Sequence, residues 1–425
     1  MPLAAQLESL YARRRFGIRP GVDRVATLLA RLGNPERQFR SIHVVGTNGK
    51  GSTAAFLTSV LKHSGFRTAQ FSSPHLVRFT ERFRINGAEY PEDKLAGLLR
   101  TVLEAAPEEA TFFEITTALA CAVFCEEQVE IAVIEAGMGG VSDATAAIRA
   151  EMTLVTPIAL DHAEYLGSTP EDIAREKAAI IEPGTPVITA AQPDTVLRQI
   201  QQQCRLGGNP LRVYGPDFSA GWNQFGTLDY RGISTLLNNL LPGIPGRYQS
   251  QNAAVALAAV EQLSTLGTAI SETACVSGIA DAYWPGRMEL IAGTPPLLLD
   301  GAHNPAGAEA LAAALADYSA DRILLVTGAC TDKDVRNIYA PLLPLVARIY
   351  TVTPSVERAL DDVTLSRNFL DMGRTSVPCG TVVNAIQVAR SESEAGDLIL
   401  VCGSLFVVGE VKAWLENTDY SGIRG

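Results

Sequence analysis

The sequence predicts an α/β protein of two domains built on parallel sheets, and three observations carry that expectation. Short apolar runs alternate with longer helical patterns, as buried parallel strands joined by crossover helices do. One run enters a glycine-rich turn that opens directly into a helical pattern. The series then breaks at Tyr283-Trp284-Pro285-Gly286-Arg287 and restarts at Leu297, which sets domains of residues 1–285 and 286–425. At roughly 150 residues per domain, the 425-residue length allows two or three.

The strand candidates, in chain order, are Ile42–Val45, Thr68–Phe71, Ile131–Ile134, Met152–Pro157, Pro186–Thr189, Leu297–Leu299, Ile323–Val326, Ile349–Val352 and Leu398–Val401. After Asn304-Pro305, apolar residues recur at Ala308, Leu311, Leu315 and Tyr318, one face of a helix. Asp217 to Gly246 is rich in turn residues and reads as a small antiparallel addition to the first domain.

Composition excludes several classes. With 47% hydrophobic and 19% charged residues, the chain can build a large core and is not disordered. Lys and Arg number 35 against 46 Asp and Glu, a net charge of −11, which disfavours a nucleic-acid coat protein. The charge is uneven. Tyr11 to Arg31 holds six arginines against one aspartate, and Lys62 to Arg84 holds five cations against Glu81. Local fields act within a Debye length, roughly 8–10 Å, so a cationic cleft is compatible with the acidic total. Arg78, Arg82 and Arg84 are therefore candidates for receiving substrate carboxylates. The seven cysteines form no CxxC pair, and Cys121 and Cys125 lie four apart in a helical pattern; reduced thiols in a cytosolic core are expected. No signal peptide or membrane span is apparent, so a cytoplasmic protein without membrane or nucleic-acid partners is expected.

Chemistry concentrates where strands end. Gly46-Thr47-Asn48-Gly49-Lys50-Gly51-Ser52-Thr53 follows the first strand and precedes a helix. Glycines admit phosphate oxygens to backbone N–H groups, the helix N-terminus adds partial positive charge, and Lys50 can reach the terminal phosphates. The spacing is GxxGKGST rather than the strict GxxxxGK[ST]. In doubly wound sheets ligands sit at the carboxyl ends of strands, and Ser73, Glu135 and His162 all follow strand candidates. A hydroxyl, a carboxylate and an imidazole suit an open Mg²⁺ shell completed by water and phosphate oxygens. Gly137-Met138-Gly139-Gly140-Val141-Ser142 lacks the third glycine of a dinucleotide fingerprint, and no GxSxG nucleophile elbow occurs.

Together these segments resemble the folylpolyglutamate synthase/dihydrofolate synthase branch of the Mur ligases. The resemblance runs from about Tyr11 to Leu415 and is carried by HVVGTNGKGST (43–53), SSPHLVRFTERFRING (72–87), TFFEITTALA (111–120), EAGMGGVSDAT (135–145), ALDHAEYLG (159–167), REKAAII (175–181), QNAAVALAA (251–259), WPGRMELI (284–291), DGAHNP (300–305), TDKDV (331–335) and VCGSLFVVGEV (401–411). It implies an N-terminal P-loop ATPase domain with a parallel sheet and a C-terminal Rossmann-like domain. It also implies an ATP-dependent ligase that adds L-glutamate to dihydropteroate or reduced folates through an acyl phosphate.

Carried over by position, the resemblance puts Gly46 to Thr53 on ATP, with Asn252, Arg287, Asp300 and Asn304 completing that site. Ser73, Glu135 and His162 match metal ligands, with two Mg²⁺ ions expected and a monovalent cation left open. Lys50, His162, Lys177 and His303 are the catalytic candidates, Lys177 matching a lysine carbamylated in the family. Thr111, Phe112, Phe113, Glu114, Ser142, Asp143 and Ala144 match the pterin- or folate-binding positions. A monomer meeting only small molecules is expected. Read from its own surroundings, Lys177 is an exposed lysine in a charged helix spanning Asp172–Glu182, paired with Asp172 or Glu176. The chain departs from the family pattern GGRxDATN, with Val141 in place of the arginine and Ala146 in place of the asparagine. The competing readings are another Mur-type amino-acid ligase and a P-loop binding protein without catalysis.

Overall fold

The structure is a computed structural model and describes residues 3–13, 21–161, 163–420 and 422. The first sheet contains β1 (Arg40–Val45), β2 (Thr68–Phe71), β3 (Phe83–Ile85), β4 (Ala88–Glu89), β5 (Ile131–Glu135), β6 (Met152–Val155), β7 (Val187–Thr189) and β8 (Leu211–Val213). Its order is β4-β3-β2-β5-β1-β6-β7-β8, parallel from β2 to β8 with an antiparallel edge at β3 and β4. Strands β1 and β5 lie at its centre and are almost wholly buried, which is why they read as largely apolar runs, His43 being a buried polar exception in β1.

Two helical layers cover the sheet. Ile42, Val44, Val133 and Leu154 pack against helix Lys50–His63, which is in turn roofed by helix Gln249–Thr265. On the other face Ala69, Ala132 and Ile134 pack with helices Asp23–Arg31, Glu92–Ala105 and Phe112–Glu126. Between residues 217 and 246 lies a small antiparallel sheet, β9 (Ser219–Trp222), β10 (Leu228–Arg231) and β11 (Leu236–Leu240), ordered β11-β10-β9.

The third sheet holds β12 (Glu289–Ile291), β13 (Leu297–Leu299), β14 (Ile323–Thr327), β15 (Arg348–Thr351), β16 (Val377–Pro378) and β17 (Leu398–Cys402), ordered β12-β13-β17-β14-β15-β16. All its pairings are parallel except that of β12 with β13. Leu76 and Val77 reach from the first half into the core of this sheet beside Val408. No helix among the described residues is long and apolar enough to cross a membrane.

Two local readings change. The helix after Asn304 ends at Leu315, so Tyr318 lies beyond it. The helix bearing Lys177 spans Pro170–Ala178 rather than Asp172–Glu182, with Thr169 as its N-cap accepting from the Asp172 amide at 3.2 Å.

Candidate active site

The centre of the site is the turn between β1 and helix Lys50–His63. Gly46 has φ 142°, and a Cβ there would lie 2.0 Å from Thr156 Oγ1 and 2.8 Å from the Thr156 carbonyl oxygen. The turn thus passes close to the segment after β6, where Pro157 O accepts the Thr47 and Asn48 amides at 2.9 and 3.2 Å. The first amides of the following helix have no acceptor within it. They are left for an anion at the helix's positive end, beside Lys50.

A cleft of about 960 Å³ opens over this turn, lined by both halves of the chain. Of the residues expected on ATP, Gly46 to Ser52, Asn252, Arg287 and Asp300 line it. Thr53 is fully buried behind the loop, 3.5 Å from Asn252 Oδ1. Asn304 is also buried: its Oδ1 caps its own helix through the Gly307 amide at 2.8 Å, and its Nδ2 donates to Asn48 Oδ1 at 2.9 Å. It joins the two halves rather than lining the cleft. Asp300 lines the cleft with both oxygens engaged, Oδ1 by the Ala302 amide and Oδ2 by Tyr248 OH and the Met288 amide.

Glu135 ends β5 and is 5% exposed, with Oε1 3.9 Å from Lys50 Nζ. Burial raises its pKa, opposed by Lys50, by a hydrogen bond from the Ser73 backbone, and by Arg287 and Arg82. The balance leaves a buried carboxylate short of positive charge, which fits a site for a divalent cation. Ser73 lies beside it on the cleft wall. The third expected ligand, His162, lies outside the described residues.

Lys177 corrects its local reading. It is 4% exposed, and its Nζ donates to Met138 O at 2.6 Å rather than to Asp172 or Glu176. Gly140 explains the approach, because a Cβ there would stand 1.8 Å from Glu176 O, so the glycine turn seats directly on the helix. Burial, then the nearby Lys50 charge, lower the Lys177 pKa to about 7.

Thr111 to Glu114 and Ser142 to Ala144 all line the cleft as well. Several of their polar groups already have structural work. Thr111 and Glu114 form a capping box for helix Phe112–Glu126, and Arg24 Nη2 lies 2.8 Å from Glu114 Oε1. Asp143 accepts from the Met138 amide at 3.0 Å and from Thr145 Oγ1 at 2.6 Å, while Ser142 Oγ donates to Glu176 at 2.6 Å. Phe112 and Phe113 remain as aromatic walls.

The three arginine candidates separate. Arg82 is 1% exposed and lines the cleft. Arg84 faces a smaller hollow shared with Trp284 and Arg287. Arg78 is exposed, paired with Glu89 at 2.9 Å and with Glu416, and does not reach the cleft.

His303 accompanies a junction that sequence reasoning missed. Asp161 Oδ1 lies 2.7 Å from Lys333 Nζ and Asp161 Oδ2 3.6 Å from His303 Nε2, joining the halves at the cleft. Tyr214, Tyr248, Arg358 and Phe406 also line it. TDKDV contains Lys333, but nothing in a lone lysine among aspartates distinguishes a cleft residue from a solvated one.

Residues 44–260 match the Mur ligase middle domain and residues 286–405 the Mur ligase glutamate ligase domain. The chain is 32% identical over 426 aligned positions to the dihydrofolate synthase/folylpolyglutamate synthase of Bacillus subtilis, covering 96% of this chain and 97% of that protein. It is 34% identical to the Escherichia coli protein of the same name, covering 99% and 97%. Among solved structures, E. coli FolC in complex with DHPP and ADP superposes with a TM-score of 0.91 at 33% identity, covering 98% of both chains. A bifunctional enzyme of the same kind from Yersinia pestis, complexed with AMPPNP and Mn ion, gives 0.89 at 31% identity, again over 98% of each.

Proposed function

The chain belongs to the dihydrofolate synthase/folylpolyglutamate synthase family of Mur ligases, and from that premise we propose how its own residues join L-glutamate to dihydropteroate, to reduced folates, or to both. It is an ATP-dependent carbon–nitrogen ligase. The observation that carries the assignment of roles is the convergence of Lys50, Glu135 and Lys177 on one cleft, at the mouth of a phosphate-binding turn.

A carboxylate does not condense with an amine in water without activation. In the first step an acceptor carboxylate oxygen attacks the γ-phosphorus of ATP; the new O–P bond forms as the bond to the β-phosphate oxygen breaks and ADP leaves. In the second, the glutamate nitrogen attacks the acyl carbon, the C–O bond to phosphate breaks, and the nitrogen sheds a proton. The chain supplies no nucleophile in either step. Its work is positioning and charge stabilisation. Amides of the turn and Lys50 hold the phosphates, Asn252 and Arg287 close on the nucleotide from above, and the two halves exclude water between them.

Ser73, Glu135 and His162 would hold divalent cations, two in this reading, which when bound disperse charge on the phosphates. Lys177 at a pKa of about 7 offers a neutral amine near neutral pH. Addition of CO₂ to it forms one N–C bond, releases one proton and gives an anionic carbamate. His303, held by the Gly301 carbonyl at 2.8 Å, lines the cleft from the second half of the chain and remains a catalytic candidate beside the nucleotide. A cytoplasmic monomer acting only on small molecules completes the reading.

The test is ADP release from ATP and L-glutamate with Mg²⁺, run with dihydropteroate and separately with tetrahydrofolate. Release that depends on either acceptor supports the reading and divides the two activities. Release with neither, or equal release without acceptor, removes it.

A further inference from the structure

Arg82 holds an unusual position for a cation. Its Nε donates to His75 Nδ1 at 2.9 Å, and its guanidinium carbon sits 5.2 Å from the Phe112 ring centre and 5.8 Å from that of Phe79. Its Nη2 is buried and has no hydrogen-bond partner among the described residues. His75 is buried too, and because its Nδ1 accepts the Arg82 Nε–H it carries no proton at that nitrogen, so the imidazole is a neutral acceptor. Glu81, next in sequence, is spent on the Leu76, Val77 and Arg78 amides. Arg82 is therefore a buried cation on the cleft wall, oriented by a neutral partner and left with an open donor edge. A buried guanidinium in that state is costly unless an anion completes it.

We propose that Arg82 grips the carboxylate of the acceptor substrate, the group that takes the phosphoryl, and so aims it at the nucleotide. The inference rests on the ligase reading above and goes beyond it in choosing one arginine and one of the two acidic substrates. Two features make that choice. Phe112 stands beside Arg82 and Phe113 lines the same cleft, and both suit the flat aryl ring that bears the carboxylate of dihydropteroate; glutamate has no flat group to use them. Arg82 lines the same cleft as Glu135 and Lys50, which lie 3.9 Å apart at the phosphate turn, so a carboxylate held by Arg82 shares the chamber that receives the phosphates. Arg78 already has two carboxylate partners, and Arg84 lies over Trp284 at 5.6 Å with Nη1 on Gly87 O. Arg78 is thereby spent, and Arg84, whose Nε is also buried without a hydrogen-bond partner among the described residues, faces the smaller hollow and does not line the cleft.

The experiment is a cycle between protein and ligand. Affinity is measured by calorimetry on the full chain with ADP and Mg²⁺, for dihydropteroate and for its carboxamide analogue, with wild type and Arg82→Gln. A charge-assisted hydrogen bond sets the expected loss at roughly 10- to 100-fold. Wild type should lose that much on going from acid to amide. Arg82→Gln should lose it for the acid, with the amide changed less than about threefold. Equal weakening of acid and amide, or no weakening of either, overturns the proposal. If Arg82→Gln does not fold, Arg82→Lys decides by kinetics. Its KM for the acceptor should rise about tenfold, with KM for ATP and glutamate nearly unchanged, and a uniform rise in all three overturns it. A wild type that turns over no acceptor at all sinks the ligase reading instead, which keeps the two failures apart.

Discussion

Lys177→Met should make the protein more stable and inactive at once. The side chain is 4% exposed and its pKa falls from 10.5 in the unfolded chain to about 7 in the fold. In that window the unfolded state binds the extra proton, so stability rises as pH climbs from about 7 to 10.5 and is reduced throughout the range below. At pH 7.5 the penalty spans about three pH units, which at about 1.36 kcal/mol per unit is on the order of 4 kcal/mol. Methionine fills similar space without a charge, so most of that penalty should vanish, less the lost hydrogen bond to Met138, worth about 1 kcal/mol. The assay is urea unfolding in CO₂-free, metal-free buffer at pH 7.5, compared with turnover under saturating substrates. An increase of about 2–3 kcal/mol, with turnover down about 100-fold or more, fits the account. The companion Lys177→Ala should regain part of its turnover with short carboxylic acids. Retained turnover in Lys177→Met, or a loss of stability, would refute the reasoning.

Other predictions follow from groups away from the metal end. His43 sits mid-strand in β1, and burial lowers its pKa to about 4. Being neutral in the fold, it supports full stability above pH 6.5, and about 3 kcal/mol should be lost as pH falls from 6.5 to 4. His43→Leu should flatten that part of the stability–pH curve. Glu114→Ala should remove the capping box and the Arg24 pair, lowering stability by about 1–3 kcal/mol. KM for the acceptor should shift less than about threefold, because the carboxylate is already engaged; a rise in KM without a change in melting temperature would restore Glu114 to the ligand. Chelation should abolish turnover, and Mg²⁺ or Mn²⁺ should restore it.

How much the sequence discloses depends on burial. Strands β1, β5, β14 and β17 are mostly apolar because helices cover both faces, and they are legible. The edge strands β4, β8 and β12 are short and partly exposed, so their residues carry little apolar signal. The phosphate turn and the Asn304-Pro305 helix start are local chemistry, read directly from neighbouring residues. The burial of Lys177 is not local: it depends on Gly140 letting a turn 37 positions away close on its helix. The same holds for Arg78, whose partner Glu416 comes from the far end of the chain. Side chains whose partners lie in the other half, such as Asp161 and Lys333, cannot be told from solvated charges until the halves are brought together.

The central claim is that the acceptor carboxylate is activated as an acyl phosphate. An acceptor carrying ¹⁸O in its carboxyl group tests it directly, through the mass spectrum of the phosphate released during ligation. The account predicts one ¹⁸O transferred to phosphate for each amide formed, since the carboxylate oxygen that attacks phosphorus leaves with it. Phosphate free of the label, with amide still forming, would contradict it.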